Sequence, residues 1–485
     1  MLIIFFSMEE IEIEELREKL LSAIEKRDRN TIVEIFDTIP NIDIAEAIED
    51  VDDVKTLLYI FKVVNNEYAA EFFAELSPNQ QEAIINAFSD KQLVDLINES
   101  YADDITDAIQ QLPANIVSRV LKVCPKEMRN DVNKLLNYKE DTAGSVMTTE
   151  YIEMKEDVTV KDAIKFIREK GKDAETVYTI FVRDNKRTLT GTVDLDDLIF
   201  AKEDESLSDI MNKDFVSCNV NDDQEDVAKM FKRYDLTAMA VTNDESKIVG
   251  IITIDDVVDI MEEETSEDIA RMAAISDMSD PYLKTPVLKL VLKCVPWIIA
   301  LMILQVFSTL ILSGFEAEIS KFAILAVFTP LIMDAGGNSG GQTTTMIVRS
   351  LSLDEFDKKD YWKVAWKEIR VAAIIGGIVA LFAFGWLMFE MNIGVVDISS
   401  LAEAKSLTLV QGELLIAALV AGTLFVTMII SRMVGCSLPF LAKLVKLDPA
   451  VVCGPFTTTL VDIVSLITYF LIWTQILNPF FFHIG

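Results

Sequence analysis

The chain of 485 residues combines 78 acidic with 44 basic side chains, a formal charge of −34, and a hydrophobic content of 51%. That combination excludes both a wholly membrane-embedded protein and a fully soluble one. The charge is unevenly placed, since residues 1–283 hold 64 of the acids and 30 of the bases while residues 284–485 hold 14 of each. A polyanion of this kind repels phosphate backbones and attracts cations, so nucleic acid is excluded as a partner.

The opening MLIIFF is too short for a signal segment and has no basic region before it. It reads as a disordered tip, with Met8 competing with Met1 as the start of translation. Cys124, Cys218, Cys294, Cys436 and Cys453 form no C-x-x-C, and His483 is the single histidine. Neither a zinc site nor a disulfide framework is expected, and the thiols fit a reducing cytosol.

Residues 9–143 predict successive short helices, with apolar residues at helical spacing in Leu16, Leu20, Leu21 and Ile24, then Ile32, Ile35 and Phe36. Ser77-Pro78 is an N-cap followed by proline in the first turn, and turn residues recur at Asn30, Asn41 and Pro113. The expectation is an all-α superhelical N-domain.

After Gly144 helix and strand alternate, and a repeat appears. SVMTTEYIEMKEDVTVKDAIKFIREK, TVYTIFVRD and GTVDLDDL are echoed by DIMNKDFVSCNVNDDQEDVAKMFKRYD, LTAMAVTND and GIITIDDVV, aligning Met147 with Met211, Gly191 with Gly250 and Asp197 with Asp256. This order resembles a tandem α/β pair of CBS domains, 144–205 and 206–263. The resemblance implies adenine-nucleotide binding or conformational relay. Thr253 and Asp256 match the family's Thr/Ser-x-x-Asp pattern for phosphate and ribose, so ATP at the second copy stands beside a purely structural role; the first copy has Asp194 in place of the hydroxyl.

Residues 264–293 predict an acidic connecting helix. Glu262, Glu263, Glu264, Glu267 and Asp268 crowd its start, more negative charge than a helix dipole needs unless a cation sits among them.

Uncharged or nearly uncharged segments then predict five spans within a transmembrane domain at 294–485: Cys294–Ser313, Phe322–Val348, Val371–Phe389, about Leu407–Ile430 and Ala450–Leu477. Basic residues gather before the first span (Lys284, Lys289, Lys293), after the second (Arg349, Lys358, Lys359, Lys363, Lys367, Arg370) and after the fourth (Arg432, Lys443, Lys446), against Lys321 and Lys405 opposite. The positive-inside bias puts the N-terminus in the cytosol and the NPFFFHIG tail outside.

Two membrane features invite chemistry. Pro330 and the run Asp334-Ala-Gly336-Gly337-Asn338-Ser-Gly-Gly-Gln342 interrupt the second span, predicting irregular, pore-lining backbone, with close helix packing through small residues as the competing account. Asp462 lies twelve residues into the fifth span, near Pro455, Thr457, Thr458 and Thr459. An intramembrane carboxylate usually faces a pathway, and no lysine or arginine is expected at its depth. All-oxygen ligands select a hard cation, and a lone carboxylate suits a largely hydrated Mg²⁺ better than a calcium cage.

The order of these parts, with LLNYKEDTAGSVM, the Glu264-Thr-Ser-Glu-Asp268 helix, PLIMDAGGNSGGQ and DPAVVCGPFTTTLVDIVS, resembles bacterial MgtE magnesium channels over residues 9–477. The resemblance implies a homodimer in the bacterial inner membrane, with Asp462 as the pore carboxylate and Asn338, Gly336, Gly337 and Thr458 beside it. It also implies closure by cytosolic Mg²⁺ held between N-domain, CBS and plug-helix acids. The matching acids are Glu71, Asp103, Asp107, Asp223, Glu225, Asp235, Asp256, Asp259, Glu264, Glu267 and Asp268. Ser465 departs from the glycine expected one turn after the pore aspartate. An ion-coupled carrier of divalent cations and a non-transporting membrane sensor are the rival functions. An enzyme is not expected, because no paired acid and base, activated serine or phosphate loop is present.

Overall fold

The structure, a computed structural model, describes every residue except 1, 52, 111, 277–281, 284, 354, 396–407, 453 and 478–485. Of the residues singled out above, Met1, Lys284, Lys405, Leu407, Cys453, His483 and the NPFFFHIG tail lie outside the described residues. The chain divides into two compact units, Met1–Glu262 and Glu263–Gly485.

The first unit opens with the helices α1 (Leu2–Glu25), α2 (Arg29–Thr38), α3 (Asn41–Ala47), α4 (Val54–Val63), α5 (Asn66–Ala74), α6 (Pro78–Ala87), α7 (Asp90–Ile97), α8 (Ala102–Gln110), α9 (Ala114–Val123) and α10 (Lys126–Leu135). α1 packs on α3, α2 on α4, α3 on α5, α4 on α6 and α5 on α7, the next-but-one pairing of the expected superhelix. Leu20, Ile32, Ile35, Ile60 and Phe72 fill its core. From Leu2 the opening residues are helical rather than a disordered tip, in a run that contains neither Gly nor Pro. Ser77 and Gln80 form a capping box with Pro78 in the first turn of α6, whereas α2 is capped by Asp28, whose carboxylate accepts from the Thr31 amide; Asn30 lies inside that helix.

Two three-stranded sheets follow. β1 (Glu153–Lys155), β2 (Thr179–Arg183) and β3 (Leu189–Asp194) accompany α11 (Val160–Lys170), α12 (Leu195–Phe200) and α13 (Leu207–Ile210). β4 (Ser217–Asn219), β5 (Ala238–Thr242) and β6 (Ile248–Thr253) accompany α14 (Gln224–Tyr234) and α15 (Ile254–Met272). Each sheet has one parallel and one antiparallel pairing, with a register shift at matching points, Val182/Arg183 and Val241/Thr242. The aligned methionines and glycines meet crosswise. A Cβ on Gly250 would lie 2.5 Å from Met147 Sδ, and one on Gly191 would lie 2.8 Å from Met211 Sδ. Each repeat thereby lends its first methionine to the other, which is why a glycine stands within the last strand of both, Gly191 in β3 and Gly250 in β6.

α15 runs without a break to Met272, so the expected separate helix over 264–293 is replaced by the end of α15 and the start of α16 (Val287–Gly314). Nothing between Ile254 and Met272 breaks a helix, and the acids lie within α15 rather than at its entrance.

In the second unit α17 (Glu316–Lys321) and α18 (Ile324–Val327) precede α19 (Thr329–Ser352), α20 (Tyr361–Asn392), α21 (Leu409–Leu444) and α22 (Pro455–Leu471). Among the described residues four helices are long and apolar enough to cross a membrane: Val287–Gly314, Lys358–Asn392, Leu409–Leu444 and Pro455–Gln475. α19, with 24 residues, is long enough but far more polar. The interruption expected in it is absent. Pro330 sits in its first turn, where the missing N–H has no helical acceptor to lose, and the glycine run continues as helix, keeping its amides paired. α21 extends beyond the predicted end at Ile430, so Arg432 lies inside it and not in a loop. α22 starts at Pro455, after a short 3-10 turn at Pro449–Val452, which puts Asp462 about 10 Å along its helix and not twelve residues into it.

Candidate functional site

α19 is two-faced. Asp334, Asn338 and Gln342, four residues apart, are exposed on one side, while Gly336, Gly337, Gly340, Thr343 and Thr344 are buried on the other. The glycines allow α21 and α22 to approach. A Cβ on Gly336 would meet Ser465 Oγ at 2.6 Å, one on Gly340 would meet Val461 Cγ2 at 2.8 Å, and one on Gly435 would meet the Gly340 carbonyl oxygen at 2.3 Å. Gly336 and Gly337 are thus packing residues, as the small-residue account has it, while Asn338 and Gln342 remain the polar surface. Ser465 is 1% exposed and points into this packing, away from the polar face.

Asp462 and Thr458, one turn apart on α22, border that polar face. The position of a Gly337 Cβ is 2.7 Å from Thr458 Cγ2 and 3.4 Å from Asp462 Oδ1. Asp334 is near enough to act electrostatically on Asp462. Among the described residues no basic side chain pairs with Asp462, which is half-buried. Neighbouring threonines spend their hydroxyls on backbone: Thr458 donates to the Gly454 carbonyl at 3.1 Å and Thr459 to the Pro455 carbonyl at 2.8 Å. What remains open is a pair of carboxylates, Asp462 and Asp334, beside the Asn338 and Gln342 amides, chemistry that suits a cation keeping most of its water.

A second group of acids lies in the first unit, where α8 meets the CBS pair. The Ala102 amide at the start of α8 donates to Glu150 Oε1 at 3.3 Å, and Thr148 Oγ1 and the Thr149 amide donate to Glu150 Oε2 at 3.0 Å each. Glu150 is therefore satisfied, but it brings a negative charge to Asp103 and Asp104. Asp103 Oδ1 is buried without a hydrogen-bond partner. Burial, then Asp104, Glu150 and Asp256, push the Asp103 carboxyl up to about 8. Burial raises Asp104 to about 6, and burial followed by Asp256 and Asp255 raises Glu175 to about 7. Asp256 is also raised by burial, although Thr253 Oγ1 donates to its Oδ2 at 2.8 Å. An orphaned oxygen among repelling carboxylates is the donor set that a divalent cation would satisfy.

The structure thus brings Asp103 and Asp256 together and adds Asp104, Glu150 and Glu175, which the sequence reading missed. Asp104 was legible as the neighbour of Asp103; Glu150 and Glu175 lie outside helices and strands, with no motif to mark them. Glu75, not Glu71, faces Asp259: burial and then Asp259 raise Glu75, while Glu71 is exposed and accepts from Asn41 Nδ2 at 2.7 Å. Asp107 is exposed one turn further along α8. Asp223 caps the start of α14, Glu225 pairs with Lys229 there at 2.9 Å, and Asp235 caps its far end with φ +51°, so these three do not converge.

Glu264, Glu267 and Asp268 are half-buried near the end of α15. Arg271 is the cation the acidic run lacked, pairing with both Glu267 and Asp448. Met272 lies beside it, against the turn where Gly454 adopts φ +53°; a Cβ there would reach the Met272 carbonyl oxygen at 2.3 Å. The end of α15 is therefore fastened to the segment that leads into α22.

Family models match in the same order: the MgtE intracellular N domain over residues 39–141, CBS domains over 143–204 and 207–263, and the MgtE divalent cation transporter domain over 329–472. The magnesium transporter MgtE of Thermus thermophilus is 30% identical across 94% of this chain and 97% of its own. The chain belongs to the MgtE family. The MgtE of Bacillus subtilis is 28% identical across 87% of this chain and 91% of its own. Among solved structures, the cytosolic domain of the Mg²⁺ channel MgtE in complex with ATP is 32% identical, covering 50% of this chain and 99% of that one, with a TM-score of 0.47. The helical N-domain, CBS pair and apolar helices of this MgtE-type chain are the architecture of magnesium transporters.

Proposed function

We propose that the chain is a Mg²⁺ uptake channel of the bacterial inner membrane, with its N-terminal unit in the cytosol and its C-terminus outside. The observation that carries this reading is Asp462, a half-buried carboxylate without a basic partner among the described residues, beside the exposed Asp334-Asn338-Gln342 stripe of an otherwise packed helix bundle. A polar stripe on a membrane helix is costly against lipid and suits water or a second polar surface. A homodimer would supply both, and the apolar surface that α16 leaves uncovered suits lipid and a second copy. α19 would be the fifth crossing. Hydrated Mg²⁺ would pass the stripe with Asp462 as its counter-charge.

The gate in this reading is the acid group around Asp103, with Asp104, Glu150, Glu175 and Asp256, together with Arg271 and its partners at the end of α15. Mg²⁺ bound by the former would remove the repulsion that opposes the compact arrangement, and so favour the closed state. A nucleotide at Thr253 and Asp256 would place phosphate in this same negative field, so its binding would depend on Mg²⁺. The reading is tested by Mg²⁺ influx into proteoliposomes holding the purified full-length chain. Influx above that of empty liposomes, suppressed by millimolar Mg²⁺ on the side of the N-terminal unit, is the expected result; no influx at any Mg²⁺ concentration overturns it.

A further inference from the structure

Two full charges lie buried among the helices read as membrane-spanning, and the pathway uses neither. Arg432 on α21 is 1% exposed and Glu368 on α20 is 7% exposed. Arg432 donates to Glu368 Oε2 through Nε at 3.1 Å and Nη2 at 3.0 Å. The same oxygen accepts from Thr343 Oγ1 of α19 at 3.4 Å, a hydroxyl shared with the Ser339 carbonyl of its own helix at 3.2 Å, and Thr343 is fully buried. One carboxylate oxygen therefore ties three helices, including the one that carries the polar stripe.

We infer that the Glu368–Arg432 pair is a positioning device that fixes the rotation of α19, and through it the direction in which Asp334, Asn338 and Gln342 face. The remaining contacts of α19 are glycines, small hydroxyl side chains and the apolar Ile332, Ile347, Val348 and Leu351, and between helices in lipid no hydrophobic force singles out a register. Thr344 adds hydrogen bonds to the Gly435 carbonyl at 3.1 Å and to Thr457 Oγ1 at 3.3 Å, but neutral bonds of this kind are readily exchanged. The Thr343 bond differs, because its acceptor is a buried carboxylate, and turning α19 would withdraw a donor from an ion in an apolar surrounding. Buried pairs contribute little to stability against apolar replacements of similar volume, and their well-attested use is to specify register. The position fits that use. Thr343 follows Asn338 by five residues, on the face of α19 turned away from the stripe, so the face that is held and the face that is presented belong to one rigid helix.

This inference rests on the channel reading for its transport consequence, but the geometry can be tested without transport. The experiment uses the full-length chain in membranes, with its native cysteines replaced, and a water-soluble thiol reagent. In this parent, Asn338→Cys is expected to react and Ser339→Cys, which is buried, is not. The apolar pair Glu368→Leu with Arg432→Leu should still fold, as judged by an unchanged thermal midpoint, while the contrast between the two cysteines is lost and Mg²⁺ influx falls about tenfold. Charge reversal, Glu368→Arg with Arg432→Glu, should restore both. If the apolar pair does not fold, Glu368→Asp shortens the reach while keeping the charge and carries the same labelling test. A folded variant that keeps the labelling contrast overturns the inference whatever its influx. A parent without Mg²⁺ influx overturns the channel reading and leaves the labelling result to decide this one.

Discussion

Asp103 concentrates the residue-scale argument. Its carboxyl is held near 8, Glu175 near 7 and Asp104 near 6, by burial first and neighbouring acids second. Acids whose folded values lie above the ordinary value of about 4 bind more protons folded than unfolded. Their arrangement is therefore favoured at low pH and weakened as pH rises from about 4 through about 8. In a Mg²⁺-free buffer, protease resistance of the N-terminal unit should rise as pH is lowered from 8 to 6, and millimolar Mg²⁺ should remove most of that dependence. A resistance that falls on acidification would contradict the burial of these groups. Asp103→Asn should raise resistance without Mg²⁺ and shift the half-protecting Mg²⁺ concentration upward by about threefold or more, as one charged ligand is lost. An unchanged midpoint would remove Asp103 from the binding set.

At the scale of elements, the membrane helices are set by how closely glycines let backbones approach. A Gly435→Ala methyl would meet a backbone oxygen at 2.3 Å, which no side-chain rotation relieves, whereas Gly422 has open space around it. Gly435→Ala should lower stability by about 1–3 kcal/mol, the usual range for overpacking, and Gly422→Ala should be nearly neutral, as read from thermal midpoints in detergent. Equal midpoints would mean that α19 and α21 part easily. Arg271 is an element-scale device of another kind. Arg271→Ala removes the cation that Glu267 and Asp448 share, so the α15 end should loosen from the turn before α22. The expected readout is Mg²⁺ influx that persists at millimolar cytosolic Mg²⁺; wild-type inhibition in this variant would detach Arg271 from gating. The sequence showed that α15 was acidic but not where its cation was, because Arg271 finds Asp448 across 177 residues of chain. Pro330 and the glycine run misled for a related reason: both are helix breakers in isolation, and only packing against α21 and α22 makes the glycines an asset.

The whole molecule joins a highly charged stretch, residues 1–283, to an apolar one that is neutral overall, residues 284–485, and that division was legible from the charge count alone. The repeat was legible too, down to Gly191 and Gly250, because each glycine answers a methionine that the other copy supplies. Asp462 stood out as an isolated carboxylate in an apolar segment. Glu150, Glu175 and the Glu368–Arg432 pair did not, since their meaning depends on partners distant in sequence and none carries a motif. The central claim is that Mg²⁺ crosses beside Asp462, and the most direct test is Mg²⁺ influx into proteoliposomes holding wild type or Asp462→Asn, matched for protein content and for elution as a folded species. Removing the counter-charge should reduce influx by about tenfold or more. Influx equal to wild type in the folded variant would contradict the account.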